Sequence, residues 1–106
     1  MTRKTQNLNS VETRIRKICD QLSQMLIEKN RGYGNSVLEP VRIFSRATTV
    51  EQIYVRLDDK LSRICHGKGI QEDTFWDMAG YLIMLLIALE RRESAGTKRN
   101  EENKGE

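Results

Sequence analysis

An all-α fold is what this sequence predicts, as a three-helix protomer assembling into an oligomeric helical bundle, and three observations carry that reading. The 106-residue chain holds one proline and seven glycines against an abundance of Leu, Ile, Arg, Lys and Glu, a composition of helix formers. Apolar positions recur at helical spacing in two segments. A third segment, Tyr81 to Leu89, is apolar for nine consecutive residues. That is too short for a bilayer span, which needs about twenty, and too apolar for a helix with one face in water. A chain of this size has room for one modest core. The expected organisation is a flexible arm over 1–9, a single all-α domain over 10–93 and a disordered tail over 94–106.

Each helix carries its own punctuation. The first starts at Ser10, an N-cap with Glu12 in the first turn, and runs to about Asn30. Val11, Ile15, Ile18, Cys19, Leu22, Met25 and Leu26 form one stripe expected to be buried. Asn30-Arg31-Gly32-Tyr33-Gly34-Asn35-Ser36 then breaks the period and turns the chain. Pro40 suits a first helical position, so Val41 to Ser45 is read as one short helical turn. Thr48-Thr49-Val50-Glu51 is a capping box, with Thr49 to Gln52 an equally good register. The second helix it opens continues to His66 with Ile53, Leu57, Leu61 and Ile64 as its core stripe, and Gly67 stops it. Gly67-Lys68-Gly69 links to a third helix from about Gln71 to Arg92. Glu72 and Asp73 sit at its positive end and Arg91 and Arg92 at its negative end. Its middle, Met78 to Leu89, is apolar on every side, and two amphipathic helices cannot wrap it. Pairing of third helices between protomers is the economical solution, so an obligate dimer or higher homo-oligomer is expected.

Charge narrows the function classes. The formal balance is +3, and no block between Ser10 and Glu93 is strongly basic, whereas a duplex-DNA binder concentrates Lys and Arg. Nucleic acid is therefore not favoured as a partner. Cys19 and Cys65 read as separate buried thiols, and Met1 to Ser10 lacks the apolar stretch of a secretory signal. The expectation is a reduced, cytoplasmic protein without a membrane anchor.

Three polar clusters stand out, each with an ordinary structural explanation beside the functional one. Lys29, Tyr33, Gly34 and Ser36 make a glycine-containing loop that suits a base or phosphate, or simply caps the first helix with Tyr33 packed on the bundle. Arg56, Asp59 and Arg63 share a helix face with Lys60 beside them and Asp58 on an adjoining stripe. That is a solvated salt-bridge ladder, or a site where Arg56, Lys60 and Arg63 meet phosphate while an aspartate is held ionised for metal. Asp73, Asp77 and Tyr81 follow at intervals of four on the third helix. A carboxylate at Asp77, where the apolar stretch begins, is costly unless paired. It is expected to find Arg56, Lys60 or Arg63 inside the chain, or a cation outside it. Gly80 costs about 1 kcal/mol against Ala in mid-helix and signals the close approach of a helix or ligand. His66, the one histidine, sits beside Cys65 with no paired metal-ligand spacing, which argues against zinc, and at a helix end it has no identifiable serine partner for a nucleophile triad. No Walker loop or dinucleotide fingerprint is present.

Taken together, Tyr33-Gly34-x-Ser36, Arg56-x-Asp58-Asp59-Lys60-x-x-Arg63 and Glu72-Asp73-Thr74-x-x-Asp77-x-x-Gly80-Tyr81 resemble the nucleotide modification associated domain family of small phage and prophage proteins, over roughly residues 12 to 92. Gly32 stands where that family usually has an acidic residue before Tyr-Gly. The plan is also similar to the all-α, MazG-like nucleoside triphosphate pyrophosphohydrolases, oligomeric bundles that hold magnesium with acidic motifs. Here Glu51, Asp58 and Asp59 on one helix and Glu72, Asp73 and Asp77 on the next leave neither of their paired spacings intact. The resemblance implies a protein of phage nucleotide metabolism, or one that sequesters a nucleotide immune signal of host defence. It would bind a nucleotide through Lys29, Tyr33, Gly34, Ser36, Arg56, Lys60, Arg63 and Tyr81, with Asp59, Asp73 and Asp77 holding Mg2+ or orienting the cations. Two other classes stay open: a magnesium-dependent nucleoside triphosphate pyrophosphohydrolase, and a non-catalytic helical interaction protein.

Overall fold

The computed structural model describes the backbone of residues 2–67 and 72–104 and the side chains of residues 10–67 and 73–94. It is all-α: α1 spans Thr2–Gly32, α2 Thr49–Cys65 and α3 Glu72–Lys104, with no strand among the described residues. The chain divides into two compact units, Met1–Gly34 and Asn35–Glu106. The units part where Gly34 and Asn35 adopt consecutive left-handed conformations, φ 62° and 61°.

α1 differs from expectation at both its start and its surface. It begins at Thr2, so Ser10 is an internal helical residue. No Pro or Gly interrupts residues 2–9, and extending a formed helix adds a hydrogen bond for each residue fixed. α3 likewise runs past Glu93 to Lys104, continuing through Gly96, where a tail was expected. The side chains of both extensions lie outside the described residues, as do 68–71 of the linker. The stripe expected to be buried is not: Val11, Ile15 and Ile18 are exposed, and Leu22, Met25 and Leu26 are half-buried.

The second unit is an antiparallel helical hairpin. α2 opens as the capping box requires: Thr48 is the N-cap, and its Oγ1 accepts the Glu51 amide at 3.1 Å. The register starting at Thr49 is not used. Instead, Thr49 Oγ1 donates to the Leu38 carbonyl at 3.3 Å and accepts from Arg42 Nη2 at 2.8 Å. α2 closes at His66, whose amide reaches the Ser62 carbonyl, and Gly67 follows at φ 71°, the left-handed position that favours glycine after a helix. Val41 to Ser45 forms no helical turn. Arg42 donates to the carbonyl of Ala47, and this strap holds the segment irregular with Val41, Ile43 and Phe44 in solvent.

The core is small: Val50 and Ile53 of α2 pack with Met84 and Ala88 of α3, Ile53 being 1% exposed. Gly80 is buried. α3 does not bury every side within the protomer. Met84 and Ala88 are covered, but Phe75, Leu82 and Leu86 on the opposite face remain exposed. Cys19 and Cys65 are free, as read, but exposed rather than buried.

Replacing Ile53 by Ala should cost about 2–5 kcal/mol, the range for emptying a fully buried aliphatic site. Thr48→Ala should cost about 1 kcal/mol by removing the cap. Urea unfolding of the full chain checks both.

Candidate functional site

Two cross-helix contacts define a polar seam on the hairpin. The Arg56 guanidinium lies over the Tyr81 ring, 5.9 Å from its centroid. Lys60 Nζ lies 3.3 Å from Asp77 Oδ2. Moving four residues forward on α2 moves four back on α3, so the two contacts are successive rungs of an antiparallel ladder. Four residues is about one helical turn, roughly 6 Å along the axis.

The second rung answers the expensive carboxylate. Asp77 precedes the apolar stretch, and its side chain is 28% exposed, that of Lys60 19%. At that depth Coulomb attraction is stronger than on an open surface, and the ammonium satisfies a carboxylate that would otherwise be poorly solvated. Lys60 is thus the partner realised among the three cations the spacing offered. The first rung is a cation over an aromatic face, an attraction of about 0.5–1 kcal/mol at a site this open. The remaining ladder charges, Asp58, Asp59 and Arg63, are exposed on α2.

Of the sequence-derived candidates, the structure brings together Arg56, Lys60, Asp77 and Tyr81. Asp59 and Asp73 are exposed. Among the described residues no three His, Cys, Asp or Glu side chains gather to hold a metal ion. Asp77 is engaged by Lys60, and magnesium, which keeps several waters, is usually held by one or two carboxylates together with substrate phosphates.

Lys29, Tyr33 and Gly34 belong to the first unit and Ser36 to the second. Their local geometry is that of a helix terminus. The Tyr33 amide reaches the Lys29 carbonyl at 2.9 Å and the Gly34 amide the Arg31 carbonyl at 3.3 Å, before the left-handed pair Gly34-Asn35. Tyr33 is exposed instead of packed. The Asn30 side-chain carbonyl is buried with no hydrogen-bond partner among the described residues, a cost of about 1–3 kcal/mol for an unsatisfied polar atom.

The hairpin also holds a feature that sequence reasoning missed. An open cleft of about 470 Å³ is lined by Leu38, Thr48 to Glu51, Ala88, Arg91 and Arg92. Arg91 and Arg92 complement the α3 dipole in the sequence. Antiparallel pairing brings their stretch of α3 beside the N-terminus of α2, where amides and threonine hydroxyls are concentrated. Only the pairing could have revealed this, since forty residues separate Glu51 from Arg91. Thr49 and Arg56 are seven apart on α2, and Tyr81 and Ala88 seven apart on α3. Each pair lies on one helix face, so cleft and polar seam follow the same side of the hairpin, about 10 Å from end to end.

No protein-family model, curated protein or solved structure matches the chain. Among the described residues, no helix is long and apolar enough to cross a membrane.

Truncating Asp77 to Ala should destabilise the chain by about 1–3 kcal/mol, because Lys60 is left half-buried without its carboxylate. Asp58→Ala, on the solvated side of the same ladder, should stay within about 0.5 kcal/mol of the parent. Denaturant midpoints of the two variants decide it.

Proposed function

We propose that the α2–α3 hairpin binds a nucleotide or nucleotide-derived phosphate, in the manner suggested by its resemblance to the phage nucleotide modification associated domain family. The observation that carries this reading is the Arg56 guanidinium over the Tyr81 ring, one rung from Lys60. A cation adjoining a half-buried aromatic ring is the pairing that a stacked base and its phosphate need. Tyr81 stacks on the base. Arg56 and Lys60, with Arg63 one turn further along, face the phosphate. Magnesium enters, if at all, on the nucleotide's own phosphates. Such a protein acts as a homo-oligomer in the host cytoplasm, its exposed α3 residues Phe75, Leu82 and Leu86 covered by another copy, and it serves nucleotide modification or withholds a nucleotide signal from host defence. The site is argued from cations and an aromatic ring, so binding without turnover is the reading put forward, with pyrophosphate cleavage the alternative.

A second reading has its own support. The cleft beside Arg91 and Arg92 has room for a phosphate group or more, and seats the phosphates at the far end of the same face.

Calorimetric titration of the full chain with a nucleotide panel, with and without magnesium, tests both. Binding without product release is expected, weakened at least tenfold by Arg56→Ala and by Tyr81→Leu, the loss of one charge-assisted contact or one stacking platform. Weakening by Arg91→Ala and Arg92→Ala alone moves the phosphates to the cleft. Release of pyrophosphate establishes the enzyme, and a chain that binds none of the panel leaves only the interaction protein.

A further inference from the structure

We infer that α1 is a self-pairing surface: its apolar seam, exposed at Val11, Ile15 and Ile18 and half-buried at Leu22 and Met25, fits a second copy of α1 running antiparallel, about a twofold axis beside Asp20. This inference does not rest on the nucleotide reading. The seam alternates four and three residues apart through Val11, Ile15, Ile18, Leu22 and Met25, and Leu8 extends the same spacing in the sequence. That is the period of 3.5 by which helices pair along a coiled seam, narrower than the stripe of a helix sunk in a globular core. Val11 is 59% exposed, Ile15 56% and Ile18 43%, in a helix whose other faces carry Arg16, Lys17 and Asp20.

The charges flanking the seam identify the occupant. On one side Arg14, Gln21 and Glu28 follow at intervals of seven. Reversed end for end about Gln21, that row is complementary to itself. Arg14 meets the partner's Glu28, Gln21 meets the partner's Gln21, and Glu28 meets the partner's Arg14. In the same register Ile15 packs on the partner's Met25 and Ile18 on the partner's Leu22. A parallel pair would set Arg14 against the partner's Cys19 and Gln21 against the partner's Leu26, with no charge matched. Among the described residues, neither Arg14 nor Glu28 makes an ion pair within its own chain. The arrangement is isologous, with each contact made twice. It also places exposed Cys19 beside the partner's Cys19, next to the axis.

Sedimentation of the full chain over a range of concentrations at low salt tests this. The expected result is a concentration-dependent association step, separate from any pairing through α3, whose dissociation constant rises about tenfold in R14E and in E28R, where two surface pairs become repulsions, and returns towards the parent value in R14E/E28R. In a C65S background, a short bis-maleimide should join two chains through Cys19. Circular dichroism confirms that the variants remain helical. A chain that stays monomeric at every concentration overturns the inference, and so does a dimer indifferent to R14E and E28R. Failure of the double variant to restore affinity overturns the antiparallel register. Nucleotide titration of the same variants should be unchanged, so the two readings fail separately.

Discussion

Asp77 stands where the third helix turns from polar to wholly apolar, and a carboxylate there has to be neutralised before the following turns can pack against anything. Lys60 does so at 3.3 Å, and much else in the second unit follows from that pairing. It fixes the antiparallel register of α2 and α3, and the register brings Arg56 over Tyr81. It also lets Ile53 and Val50 share a core with Met84 and Ala88. At the far end it carries Arg91 and Arg92 to the capped start of α2. A core of so few side chains needs a polar contact to specify which neighbours meet, since apolar contacts alone tolerate a slipped register.

The parts legible in the sequence are those governed by local chemistry. Thr48 caps α2 because a hydroxyl before Glu51 can accept an orphan amide, and Gly67 ends it because the next conformation is left-handed. The ion pair of Asp77 was legible as a choice among three cations, because burial cost demands a partner within reach. What was not legible depends on what else is present. A helical stripe shows that α1 has an apolar side but not what covers it, and within one chain Val11, Ile15 and Ile18 stay in water. Pro40 permits a helical turn without compelling one. The side chain of Arg42, reaching Ala47 and Thr49, leaves that segment irregular. The cleft was invisible because it is made only when two distant termini are brought side by side.

The same separation applies to function. Motif spacing selected Arg56, Lys60, Asp77 and Tyr81, which do converge, because residues four apart on each of two helices present one face. It also selected Asp59 and Asp73, which stay in solvent: Asp59 in mid-helix is equally well explained by a solvated salt-bridge ladder, and Asp73 at the start of α3 by the dipole. The proposed site is accordingly richer in cations than in metal ligands. Such a balance suits holding a phosphate rather than activating water against one, which takes a metal ion or a positioned base.

The central functional claim is that ligand engages the polar seam of the hairpin, and chemical-shift mapping tests it most directly. Isotopically labelled full-length chain would be titrated with the tightest-binding nucleotide while the backbone amides, the arginine Nε–H groups and the Tyr81 ring are followed. The account predicts the largest changes at Arg56, Lys60 and Tyr81, spreading along the same face towards Thr49. Changes confined to α1, or no saturable change anywhere on the hairpin, would contradict it.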